Sequence, residues 1–133
     1  GLYSSSVSRY IGTRGIWMAE PFPPDLLKGT TELMVLAALA AGPLHGYALI
    51  QRLRERSAGR CRFREGSLYP LLHRLEAERL LRAREEATGA RSRKVYTLER
   101  AGQKRLQELR RQWSEFRATI DHVIDDPHEG APR

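Results

Sequence analysis

Gly66-Ser67-Leu68-Tyr69-Pro70-Leu71-Leu72-His73-Arg74-Leu75 carries the most information in this 133-residue chain. Leu68, Leu71, Leu72 and Leu75 recur at i, i+3, i+4 and i+7, which puts them on one face of a helix. Ser67 reads as its N-cap. Pro70 then falls in the first turn, where a missing N–H costs little. Tyr69, His73 and Arg74 lie off the leucine stripe and face outward. The stretch therefore predicts a short helix with a packed back and an aromatic, cationic front.

Two helices are predicted before it. Residues 33–41 are apolar without interruption, so a helix over about 30–41 is buried on several sides, and Gly42-Pro43 stops it. A second helix runs from His45-Gly46 to about Ser57. Tyr47, Ile50 and Leu53 fall at helical spacing, and Arg52, Arg54, Glu55 and Arg56 face water. Tyr47 is expected to pack between these two helices. Pro21, Pro23 and Pro24 make the preceding arm extended. Residues 1–17 are rich in Ser, Gly and Arg, have no period and are set aside as a leader.

Beyond the third helix, strands are predicted over about 81–86 and 94–98. Residues 87–93 between them contain Gly89 and Ser92, which suit a hairpin. Its tip carries Arg91, Arg93 and Lys94. A long helix follows over about 99–124. Along it Leu106, Leu109, Trp113, Phe116, Ile120 and Val123 are spaced 3, 4, 3, 4 and 3 residues apart, a heptad seam. One apolar seam on so long a helix needs a cover, and a second copy of the chain is the simplest. The plan is a leader and arm over 1–25 (disordered or appended in part), a domain over 26–98, a dimerisation helix over 99–124 and a tail over 125–133.

The formal net charge of +7 favours polyanionic partners, nucleic acid before acidic membranes. The longest apolar run is far short of the ~20 residues that cross a bilayer, so a soluble, cytoplasmic protein is expected. The single cysteine, Cys61, allows neither an intrachain disulfide nor a cysteine-based zinc site. It reads as inert, although Arg60, Arg62 and Arg64 beside it would favour a thiolate. The four histidines lack H-x-x-x-H spacing, so no metal is expected. Phosphate-loop, nucleophile-elbow and zinc-protease motifs are all missing. Glu85-Glu86 and Asp125-Asp126 are adjacent pairs, which do not face one another as an acid/base couple. Neither an enzyme nor a cofactor is expected.

Three helices, a basic hairpin and a long final helix give a mostly α fold. It is a winged helix-turn-helix with a two-stranded wing and a long C-terminal dimerisation helix. In that layout the third helix enters the major groove of double-stranded DNA and the hairpin tip lies on the backbone or minor groove. Guanidinium and ammonium groups supply affinity through phosphates, and a few helix side chains supply specificity through base edges.

Three strings also carry a family resemblance. Leu44-His45-Gly46-Tyr47, Gly66-Ser67-Leu68-Tyr69-Pro70-Leu71-Leu72 and Arg93-Lys94-Val95-Tyr96-Thr97-Leu98 resemble the PadR family of regulators, as do Leu75-Glu76 and Gly102. The resemblance covers about 27–123. It implies a homodimer joined through the long helix, repression of transcription, and relief by a small planar or aromatic effector. Ser67, Tyr69 and Pro70 match the start of the recognition helix, with His73 and Arg74 further along it. Arg91, Arg93 and Lys94 match the wing. Trp113 resembles an aromatic residue that lines an inter-subunit ligand pore in some members. Two positions depart from the pattern: Arg79 stands where a glycine is common, and Glu99 where threonine often opens the last helix. Glu99 still suits a helix N-terminus through the macrodipole. The alternative function is a protein–protein interaction module, which has no need of three clustered wing cations.

Overall fold

The computed structural model describes residues 20–125. It contains α1 (Pro24–Leu27), α2 (Thr31–Leu39), β1 (Leu44–His45), α3 (Gly46–Arg56), α4 (Glu65–Ala77), β2 (Leu81–Thr88), β3 (Arg91–Leu98) and α5 (Arg100–Ile124). Helix α2, apolar from Leu33 onward, is the hub: Val35, Leu36, Ala38 and Leu39 are all buried. Leu49 and Leu53 of α3, Leu68, Leu72 and Leu75 of α4, Tyr96 of β3 and Leu106 of α5 close around it. The fold is the expected winged helix-turn-helix with a long C-terminal helix.

The sheet has three strands in the order β1-β3-β2, one more than the predicted wing. Past Gly42-Pro43 the chain is extended, and Leu44 and His45 pair with Tyr96 and Val95. The wing strands also reach further than expected. Their connection is Gly89-Ala90 alone, with Thr88 opposite Arg91. A positive φ of 65° at Gly89 suits a two-residue hairpin with glycine at its first central position. Glu85 opposite Lys94 and Glu86 opposite Arg93 sustain the ladder, because opposite charges facing across strands are favourable.

The ends of α3 and α4 share one device. Gly59 N donates to Arg54 O at 2.7 Å and Ala58 N to Glu55 O at 3.1 Å; Leu80 N donates to Leu75 O and Arg79 N to Glu76 O, both at 2.9 Å. This is the Schellman pairing, in which the first residue past the cap is left-handed. Here Ala58 (φ 55°) and Arg79 (φ 63°) hold that position instead of glycine. Arg79 thus adopts the geometry of the residue it replaces, and the turn survives. Leu80 then places its carbonyl under α5, accepting from Glu99 N at 3.0 Å. A Cβ on Gly102 would fall onto that carbonyl and onto Leu98. Gly102 is therefore what lets α5 sit down on the wing's root.

Three local expectations are corrected. Helix α4 starts at Glu65, with Arg64 as its N-cap residue and no side-chain cap. Arg64 O accepts from Ser67 N and Leu68 N at 3.1 and 3.0 Å, so Ser67 is already helical and does not cap. Glu65 at the first position suits the helix dipole. Pro70 consequently sits inside α4 rather than in its first turn. The i−4 carbonyl that proline cannot serve belongs to Gly66, which is exposed to solvent. Finally, the proline arm is not extended throughout. Pro24 opens the helical turn α1, a first-position role that proline favours. The arm is also tied down: Phe22 N donates to Arg60 O at 2.9 Å, and the Arg60 guanidinium lies 4.0 Å from the Phe22 ring centroid. The proposed leader up to residue 19 and the tail from residue 126 lie outside the described residues. No described helix is long and apolar enough to cross a membrane.

Candidate nucleic-acid interface

His45 caps α3, its Nδ1 accepting from Ala48 N at 3.3 Å. Gly46 follows on the inner face of α3, and the Tyr69 ring lies directly on it. A Cβ at position 46 would stand 2.5 Å from Tyr69 Oη and 2.6 Å from its Cε1. The two most distinctive strings of the sequence therefore form one packing unit: the glycine after His45 makes room for the tyrosine of α4. This also shifts the phase of α3. Gly46, Leu49 and Leu53 face inward, and Tyr47, expected in the core, is 56% exposed.

Tyr47 instead joins Tyr69, His73, Arg93 and Lys94 around a cleft of about 480 Å³ floored by Tyr96. The cleft is where the start of α3, the front of α4 and strand β3 meet. Tyr69 and His73 stand with ring centroids 6.5 Å apart. Burial, then the nearby Glu65 charge, pushes the Tyr69 phenol above its ordinary range. Burial also pushes Tyr96 up, followed by Glu76 and Tyr69. Of the two, only Tyr69 is partly exposed, and its phenol hydroxyl is available as a hydrogen-bond donor. Ser67 and Pro70 are exposed on α4.

On the wing, Arg93 and Arg84 both reach Glu86, at 3.6 and 3.7 Å. Such exposed pairs contribute little, so the Arg93–Glu86 contact is readily exchanged. Arg91 and Lys94 are exposed.

Arg74 is placed differently. Its guanidinium contacts Glu32 at 2.9 Å and Glu78 at 2.8 Å. Those hydrogen bonds, Glu32 first, hold it above its ordinary pKa. It does not line the cleft that Tyr69 and His73 share.

The predicted seam of α5 divides in two. Leu106 is buried in the protomer's own core and Leu109 is packed against it. Trp113, Phe116, Ile120 and Val123 are exposed. Trp113 and Phe116, with ring centroids 6.1 Å apart, wall a groove of about 530 Å³ that Leu33, Leu109 and Thr30 complete.

Residues 35–108, more than half of the chain, match the transcriptional regulator PadR-like family. This chain belongs to that family. It is 36% identical over 92 residues to the transcriptional regulator Rv3488 of Mycobacterium tuberculosis, covering 69% of this chain and 83% of the relative. It is also 49% identical over 55 residues to an uncharacterised 37.1 kDa protein from a Streptomyces fradiae transposon, but it spans only 15% of that protein's length. Among solved structures, a PadR family transcriptional regulator from Eggerthella lenta superposes with a TM-score of 0.69 at 27% identity, covering 92% of this chain and 96% of its own. A PadR-like transcriptional regulator from Bacillus cereus gives 0.65 at 28%, covering 75% and 96%.

In this PadR-like regulator the fold gathers Tyr69, His73, Arg93 and Lys94 from the predicted contacts and sets Arg74 apart. Tyr47 is the cleft-lining residue that sequence reasoning placed elsewhere. The available signal was Gly46: a glycine next to a tyrosine in a helix pattern implies that one of the two faces a close neighbour. Among the described residues no cluster of His, Cys, Asp or Glu is arranged to hold a metal ion. Cys61 is buried.

Proposed function

We propose that this PadR-like regulator is a homodimeric, DNA-binding repressor whose α4 reads the major groove while its wing grips the backbone. The observation that carries the reading is the cleft at the front of α4. There the partly buried Tyr69 phenol, an imidazole and two wing cations surround one solvent-accessible concavity over the buried Tyr96. Ser67, Tyr69, Pro70 and His73 present the groove-facing surface of α4, Tyr47 flanks it, and Arg91, Arg93 and Lys94 take phosphates. The net charge of +7 supplies sequence-independent attraction.

Dimerisation is supported by the exposed Trp113, Phe116, Ile120 and Val123 on α5. At 25 residues α5 is about 37 Å long, enough to hold two recognition helices about one DNA turn apart. Occupying a promoter as such a dimer represses it. The groove beside Trp113 and Phe116 suits a planar aromatic effector by stacking.

Fluorescence anisotropy tests the reading. A duplex enriched by the protein from a random pool is compared with its shuffled version over a range of salt. Selectivity of about 10³ or more at physiological salt is expected. Equal binding that fades together with salt would leave only an interaction module. Phe116→Glu is expected to yield monomers by light scattering and to lose selective binding. Effector binding is read by tryptophan quenching, with Trp113→Phe as the control because Trp17 also emits.

A further inference from the structure

Arg74, Glu32, Arg105 and Glu78 form a closed ring of alternating charges. Arg74 Nη2 meets Glu32 Oε1 at 2.9 Å, and Arg74 Nη1 meets Glu78 Oε2 at 2.8 Å. Arg105 Nη1 meets Glu32 Oε2 at 3.0 Å, and Arg105 Nη2 meets Glu78 Oε1 at 3.7 Å. Each carboxylate gives one oxygen to each guanidinium, and each guanidinium gives one nitrogen to each carboxylate. The four side chains come from the first turn of α2, from α4, from its C-cap and from the second turn of α5. Among the described residues, every ion pair that joins α5 to α2 or to α4 with its cap belongs to this ring.

We infer that this ring is a positioning device for the proposed DNA readout, setting the angle and rotation of the recognition helix α4 relative to the dimerisation helix α5. The inference rests on the DNA-binding reading. Three physical points carry it. First, partly exposed ion pairs add little stability, so stability alone does not account for four charges used in this way. A planar guanidinium that must meet two carboxylates at once, one nitrogen to each, is instead geometrically constrained, and that constraint fixes orientation. Second, Arg74 directly follows His73. Residues one apart on a helix stand about 100° apart, so clamping Arg74 towards α2 and α5 holds His73 and the Tyr69 face at the cleft. Third, Arg105 lies near the point where Gly102 seats α5 on Leu80. A small change of angle at that pivot is magnified along α5. In a two-fold dimer it becomes a change in the separation of the two recognition helices. DNA is sensitive to that separation because half-sites must recur about one turn apart, ~34 Å.

The ring is therefore a determinant of which half-site spacing the dimer accepts. Arg74 contributes to recognition through position, not through contact with a base. Glu32, Glu78 and Arg105 contribute in the same way from outside the interface.

The test uses the full-length protein and its variants Glu32→Gln, Arg105→Gln, the double variant and the conservative Arg105→Lys. The probe is the duplex enriched by the wild type from a random pool, together with versions carrying one or two base pairs inserted at its centre. Wild type is expected to lose about tenfold or more on the altered spacing, and the Gln variants less than about threefold, their spacing preference having relaxed. The double variant should match the singles, and Arg105→Lys should lie between them and wild type. Spacing discrimination that stays at the wild-type level in the Gln variants, with α5 still helical, overturns the inference.

A second readout is independent of DNA. Spin labels at Ser67→Cys and Gln107→Cys in a Cys61→Ser background, diluted with unlabelled protein, report the α4–α5 distance. Glu32→Gln should broaden that distribution, and an unchanged distribution overturns the ring's role. If the wild type enriches no duplex, the DNA reading fails and the readout proposal fails with it. The distance measurement then shows whether the ring sets the helix geometry at all.

Discussion

Replacing Arg79 by glycine should stabilise the protein. Arg79 occupies the left-handed position of the Schellman turn that ends α4, at φ 63°. A side chain with a Cβ is penalised there by roughly 1–2 kcal/mol, and glycine is not. Glycine also widens the unfolded ensemble, which returns about 0.4–1 kcal/mol of that gain. The balance is about 0.5–1 kcal/mol in favour of Arg79→Gly, or a rise of roughly 2–6 °C in Tm for a domain of this size. Thermal unfolding followed by circular dichroism at one fixed concentration measures it. Fixed concentration matters because dimerisation would couple stability to protein concentration. Arg79→Ala separates side-chain loss from backbone strain: it keeps the Cβ penalty and should stay near wild type. Ala58 holds the equivalent position at the end of α3, at φ 55°, so Ala58→Gly should give a similar gain that adds to the first. An Arg79→Gly protein no more stable than Arg79→Ala would show that the Cβ carries no penalty at this position. The strain argument for this turn would then be refuted.

Gly102→Ala should do the opposite: its Cβ would meet the Leu80 carbonyl, and overpacking of that kind costs about 1–3 kcal/mol. A neutral or stabilising result in urea unfolding would mean that α5 does not seat on that carbonyl. Gly46→Ala should push the Tyr69 ring from its place over α3, lowering affinity for the enriched duplex by about tenfold. Binding to random DNA should hardly change; equal loss on both duplexes would argue against a specific role for Tyr69. Alkaline titration of stability gives a further check. The phenols of Tyr69 and Tyr96 are raised in the fold, so stability is fully present below the unfolded tyrosine pKa of about 10. It declines as pH rises towards the folded values, because the unfolded chain gives up those protons first. Tyr96→Phe should flatten that decline, and an unchanged slope would assign it to other groups.

Much of this architecture was legible in the residue order. The leucine period of α4, the all-round apolar α2, the turn residues of the hairpin and the long heptad of α5 are local signals, readable because side-chain period follows backbone geometry. The family resemblance rested on strings whose members touch one another in space. Gly46 and Tyr69 are 23 positions apart, yet each explains the other.

What sequence period left open was decided by contacts between distant segments. Tyr47 and Leu49 both fit a helix face. Only the tyrosine ring arriving from α4 sets which of them turns inward. Arg74 reads as a base contact on α4 alone, because nothing nearby in sequence other than Glu78 competes for it. Glu32 lies 42 residues away, and the fold brings it to 2.9 Å. The seam on α5 looks uniform as a pattern, yet its first two leucines are taken into the protomer's own core and the other four positions are exposed. The sequence by itself determined the four main helices, the hairpin and which faces are apolar or charged, since those depend on neighbours within a few residues; strand β1 exists only by pairing with the distant β3. Tertiary structure decided which charges are paired within the protomer and which stay exposed. Electrostatic partnership depends on distance in space, and the chain sets that distance only once it has folded.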